Sequence, residues 1–274
     1  MKMVAAAKFR RAQESIVSAR PYARKIGTLL RYLLSTVDSA RNPFLKEREI
    51  KAVALVVVTA DRGLCGGFNS NIIRTAVQQI KSQYSDHLKS ERLKIITIGK
   101  KAFDYFNKHG YPVYAKHVGI FQSLDFNHAR TIVEEIAGAY LQGTVDQVVV
   151  IYNEFKTVVQ QRIVVEQFLP VPPPDVQSED ESASELVDYI FEPSSTKIIE
   201  AMVPRHLNFQ MWRVLLESNA AEQGARMTAM ENATENAKEM IRDLTLVYNN
   251  ARQAAITKEL LEITGGAEAL KKAG

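Results

Sequence analysis

Small and apolar residues toward the carboxyl end of the chain step alternately by three and four: Met230, Ala233, Ala237, Met240, Leu244, Val247, Ala251 and Ala254. That spacing is a heptad seam, and it predicts one long helix over residues 204–264 that buries a narrow stripe against a partner. Charged and amide residues, among them Glu231, Asn236, Lys238, Arg242 and Asp243, fill the rest of its surface. Pro204 suits a first helical turn, and Gly265 with Gly266 supplies a stop. About 60 residues rising 1.5 Å each make a rod of roughly 90 Å. A compact domain made from the rest of the chain would be about 40 Å across, so the rod is expected to project from it. Followed backwards in register, the seam meets Arg226, Gln223 and Asn219 where a permanent bundle would place Leu or Ile. Gly224 weakens the helix there by roughly 1 kcal/mol relative to Ala. Close but weakly apolar pairing is expected; the plainer alternative is an ordinary long helix whose polar stretch faces water.

The natural partner is the other chain end. From Met1 to Asp38 the pattern is again helical, with Met3, Ala6 and Ala7, then Ile26, Leu29, Leu30, Leu33, Leu34 and Val37 at spacings of three and four. Pro21 is expected to kink this helix or divide it in two. The chain ends therefore predict an antiparallel helical hairpin (residues 1–41 and 204–270) with a domain over residues 50–195 inserted between them. That domain opens on AVALVVVT (52–59), a buried-strand run. Further strands are predicted at 93–98, 112–117 and 147–152, with helices at 72–84, 100–109 and 125–141. Alternating strands and helices give an α/β fold with a mostly parallel sheet covered on both faces. The alternating stretch 157–168 reads as a longer, edge strand. Residues 170–184, rich in proline and acid, read as an exposed loop, and Ser194 with Ser195 as the cap of a short helix leading to Pro204.

Composition narrows the class. The 274 residues are 46% hydrophobic and 24% charged, ordinary for a globular protein. The single cysteine, Cys65, excludes an internal disulfide framework. The longest apolar run is far short of the roughly 20 residues that span a bilayer. Net charge is only +4, but Lys2, Lys8, Arg10, Arg11, Arg20, Arg24, Lys25, Arg31 and Arg41 face only Glu14 and Asp38 in the first segment. Such a basic arm suits nucleic acid, anionic lipid headgroups or an acidic protein surface. No nucleic-acid module accompanies it, so nucleic acid is not expected as a partner.

Candidate chemistry is sparse. The turn GLCGGFN (63–69) lies between a strand and a helix, where free amides attract phosphates. It lacks both the Gly-Lys-Ser/Thr ending of a P-loop and the G-x-G-x-x-G fingerprint, so its glycines are expected to serve a tight turn, flanked by the opposite charges of Asp61 and Arg62. Cys65 reads as a packed small residue rather than a reactive thiol. The histidines His87, His109, His117, His128 and His206 are scattered, and no catalytic residue, metal site or cofactor is expected.

Three stretches carry a family resemblance: TADRGLCGGFNSN (59–71), ARMTAMENATENA (225–237) and VYNNARQAAITKELLEITGGAEA (247–269). Together with MKMVAAAKFRRAQ at the start, they resemble the gamma subunits of F-type ATP synthases over essentially the whole chain. The resemblance implies an antiparallel coiled coil of the terminal helices with an inserted Rossmann-like domain. It implies a rotor shaft that couples turning of the c-ring to ATP synthesis in the beta subunits and regulates ATPase activity and proton flow. The partners implied are the alpha, beta and epsilon subunits and the c-ring, with the membrane reached only through the complex, on the cytoplasmic face of a bacterial inner membrane. By the same resemblance Arg252, Gln253, Thr257 and Glu259 face the beta subunits, Arg226 couples with them, and Met1 lies near a beta loop. Family members usually begin about twenty residues earlier, so the amino-terminal helix is expected to be short. The cysteine pair of chloroplast-type members is not matched, which favours the bacterial form. Rival readings are a nucleotide-using enzyme and a plain coiled-coil scaffold.

Overall fold

A computed structural model describes residues 2–36, 42–46, 48–155, 161–172, 192 and 194–273. Met1, most of the acidic 170–184 stretch and the start of the expected edge strand lie outside the described residues. The elements in chain order are α1 (Lys2–Thr36), β1 (Val53–Val58), α2 (Phe68–Ser82), α3 (Ser85–Lys89), β2 (Leu93–Ile98), α4 (Lys100–Lys108), β3 (Val113–His117), α5 (Phe126–Leu141), β4 (Gln147–Phe155), β5 (Gln161–Leu169) and α6 (Ser195–Ala273). They form two units, Met1–Thr228 and Ala229–Gly274, and α6 contributes to both.

In the first unit the strands lie in the order β3-β2-β1-β4-β5, parallel except for β5, which runs antiparallel to β4 at one edge. The valine-rich β1 is central and wholly buried, and successive side chains go to opposite faces. Ala54, Val56 and Val58 join Ile96, Ile98, Val148 and Val150 under α5, α6 and the Leu30 and Leu33 end of α1. Val53, Leu55 and Val57 join Ile95 and Ile151 under α2 and α4. A strand greasy on both sides therefore acquires helices on both sides, as the run of valines required.

The terminal helices meet in this unit. Ala12 and Ile16 of α1 pack on Leu216 and Ala220 of α6, and Tyr22 lies against Phe209 with ring centroids 4.7 Å apart. Rising numbers on one helix meet falling numbers on the other, so the pair is antiparallel, and alanine on both sides lets the backbones approach. The burial of α6 ends within this unit: Leu216, Ala220, Ala221, Glu222 and Gln223 are buried. Beyond it Met240, Leu244 and Val247 are exposed, each at 60% or more. The seam predicted at 230–254 thus has no partner within the chain among the described residues, and the contacts with α1 lie earlier, on Leu216 and Ala220.

Two helix boundaries differ from expectation. Pro204 lies inside α6 instead of starting it, while Pro21 lies inside α1 and does not divide it. Each removes an amide bond to the residue four earlier, Val17 or Glu200, and both of these are exposed, so water can serve the freed carbonyl. α6 starts at Ser195, where Ser194 Oγ accepts the Lys197 amide at 3.4 Å. Gly265 and Gly266 do not end α6, since neither adopts the positive φ that a glycine cap needs.

Edge strand β5 is tied to α6 through Glu166. Its carboxylate accepts bonds from Tyr152 Oη (3.1 Å), Gln210 Nε2 (2.9 Å) and Arg213 Nη2 (2.9 and 3.0 Å). Burial pushes the Tyr152 phenol far up, with Glu166 adding to the rise against the opposing pull of Arg213, so Tyr152 stays a donor. Replacing Glu166 with Ala is expected to cost about 2 kcal/mol, because several donors lose a charged acceptor at a site only partly open to solvent. The urea midpoint of the purified chain would reveal it.

Candidate functional site

The segments that follow β1 and β3 line one crevice, and its floor is built by the turn after β1. Leu64 and Gly66 there take left-handed φ values of 63° and 58°. Asn69, in the first turn of α2, holds the loop: its Oδ1 accepts the Ala60 amide at 2.9 Å, and its Nδ2 donates to Arg62 O at 3.3 Å and Cys65 Sγ at 3.2 Å. Asp61 joins the neighbouring loops, with Oδ1 accepting the amides of Lys100 (3.0 Å) and Gly119 (2.9 Å). The glycine-rich segment is thus a tight turn fixed by Asn69 and Asp61, as its lack of a phosphate fingerprint suggested.

Over this turn lies α6. Arg226 donates from Nη1 to Gly63 O and from Nη2 to Glu222 Oε1, both at 2.6 Å. Gln223 Nε2 reaches the same Glu222 oxygen at 3.4 Å. Glu222 is 6% exposed, and burial raises its carboxyl above the ordinary range against the downward pull of Arg226; Asp61 adds to the rise and Lys8 opposes it. Burial likewise pushes the Cys65 thiol up, Arg226 only partly offsetting it, so the sulfur is a packed thiol and not a nucleophile. Between α1, the turn and α6 remains a cleft of about 600 Å³, whose lining includes Val4, Lys8, Asp61, Leu64, Phe121 and Arg226. Crevices at the carboxyl ends of parallel strands are where such sheets bind ligands. Here helix α6 fills part of that place with an internal ion pair.

Of the residues the resemblance singled out, Arg226 belongs to this cluster, and Met1 lies outside the described residues. Arg252, Gln253, Thr257 and Glu259 lie in the second unit, all exposed, with Thr257 Oγ1 bonded back to Gln253 O at 2.8 Å. At about 100° per residue these four occupy one side of the helix. The sequence reading passed over Glu222, although its place four residues before Arg226 is the ordinary spacing of a helical ion pair. Among the described residues no helix is long and apolar enough to cross a membrane.

A family model described as ATP synthase matches residues 1–270. The ATP synthase gamma chain of Chloroherpeton thalassium is 52% identical over 282 aligned positions, covering 99% of this chain and 92% of that one. The gamma chain of Prosthecochloris aestuarii is 53% identical over 272 positions, covering 99% and 91%. Among solved structures, a chain from the central stalk and c-ring of the Tetrahymena thermophila mitochondrial ATP synthase superposes with a TM-score of 0.62 at 24% identity, over 85% of this chain and 97% of that chain. A chain from the OSCP/F1/c-ring assembly of the Euglena gracilis mitochondrial ATP synthase gives 0.62 at 21% identity, over 97% and 95%. At such identities the superpositions speak for the fold, and the 52–53% relatives for the family.

Proposed function

The chain belongs to the ATP synthase gamma-chain family, and from that premise we propose that it is the non-catalytic shaft of the rotor, seated in the ring of alpha and beta subunits and carried on the c-ring beside epsilon. The complex would place it at the cytoplasmic face of a bacterial inner membrane, as a peripheral subunit. The observation that carries the reading is the second unit: a helix exposing Met240, Ile241, Leu244, Val247, Leu260 and Leu261, each at 58% or more, with no cover from its own chain among the described residues. Such an apolar surface on a single helix calls for a surrounding partner. Arg252, Gln253, Thr257 and Glu259 give one side of that helix polar groups with which to meet the beta subunits. Turning such an uneven surface favours a different conformation in each beta subunit in succession, which is a population shift driven by differential contact. The same contacts would regulate ATPase activity and proton flow.

The reading is tested by reconstituting the complex from alpha and beta subunits with this chain and measuring ATP hydrolysis. Sustained hydrolysis is expected with the chain and not by the chain alone; failure to assemble would overturn the reading. Changing Arg252 and Gln253 together to Ala is expected to cut ATP synthesis about tenfold, as loss of roughly 1.4 kcal/mol of coupling would, while circular dichroism of the exposed helix stays unchanged.

A further inference from the structure

The cleft beside Arg226 holds the two halves of an ion pair that is not made. Asp61 gives its Oδ1 to two amides, but its Oδ2 is enclosed and has no hydrogen-bond partner among the described residues. An enclosed carboxylate oxygen without a donor is costly. Lys8 of α1 lines the same cleft as Asp61, is exposed, and makes no ion pair among the described residues. Glu222 lines the same cleft, and the two groups act on its charge with opposite sign. Lysine carries its charge on a flexible four-carbon stem, and a cleft of about 600 Å³ gives that stem room to swing.

We propose that Lys8 and Asp61 form a reversible bridge across this cleft, clamping the amino-terminal helix onto the β1–α2 turn beside Arg226. When closed, the bridge supplies the donor that Asp61 Oδ2 lacks. When open, it leaves the Lys8 ammonium in water. The desolvation of two charges offsets most of their attraction, so the two states lie close in free energy and a modest torque can shift them. Lys8 is then a positioning residue: it sets how stiffly α1 grips the domain through which torque would pass. This inference rests on the shaft reading.

Carbodiimide treatment joins an amine to a carboxylate only where the two touch. Applied to the full chain and to the assembled complex, it is expected to yield an isopeptide between Lys8 and Asp61, found by peptide mass spectrometry and lost in Lys8→Met. Lys8→Met is further expected to lower protons pumped per ATP hydrolysed about twofold or more, within the usual range of coupling effects. Lys8→Arg, which keeps the charge, should retain pumping. Coupling of Asp61 to another lysine, no coupling at all, or unchanged pumping in Lys8→Met would overturn the bridge. A failure of the shaft reading would look different, since the unaltered chain would then support no hydrolysis.

Discussion

Replacing Gly99 with Ala is expected to cost the first unit about 4 kcal/mol or to prevent its folding, well beyond an ordinary point substitution. Gly99 takes φ 94° and ψ 146° at the start of α4, a conformation open almost only to glycine. An added Cβ would stand 2.0 Å from Thr59 O and 2.7 Å from Thr59 C, both backbone atoms. Thr59 cannot retreat, because its amide donates to Ile98 O at 2.8 Å and its Oγ1 accepts the Ala102 amide at 2.9 Å. Gly110→Ala is the control. Gly110 has φ 70° with nothing within 4 Å of a Cβ, so it should cost only about 1–2 kcal/mol for the left-handed backbone. Urea denaturation that found the two variants equally mild would refute this account of the close approach of Gly99 to Thr59.

Which parts of the fold were readable follows from how local each signal is. The alternation of valine-rich runs with helical periods carries the parallel sheet, and the edge strand β5 shows itself by the alternating residues of 157–168. The antiparallel meeting of the two chain ends was readable too, since each end is helical with one apolar stripe. What periodicity could not say was where along α6 the partner stops. The stripe continues through Met240 and Val247 although Leu216 and Ala220 already take the contacts with α1, because the same heptad spacing serves a partner within the chain or outside it. Pro204 misled for a related reason: its cost depends on whether the freed carbonyl faces water, which no local pattern records. In the site, Arg226 was singled out by resemblance, but its bond to Gly63 spans 163 positions and belongs to the tertiary fold alone.

Arg226 is also where the largest effect of a single side chain is expected outside the glycine. Changing it to Ala removes the donor to Gly63 O and leaves the Glu222 carboxylate, 6% exposed, without its cation. Breaking a buried pair from one side costs about 3 kcal/mol, because the charge that remains is not solvated. That deficit should depend on pH. Burial already holds the Glu222 carboxyl above its ordinary 4.5, and losing Arg226, which pulls it down, lifts it further. A carboxyl raised in the folded state binds its proton there before the unfolded chain does, so the penalty is present at neutral pH and shrinks as pH falls through the folded value toward the unfolded one. Arg226→Ala should therefore lie well below the unaltered chain in urea at pH 7 and closer to it at pH 5. Adding Glu222→Gln to Arg226→Ala should recover much of the loss at pH 7, since no charge is then stranded. Equal deficits at both pH values, with no recovery in the double variant, would mean that Arg226 acts through Gly63 alone.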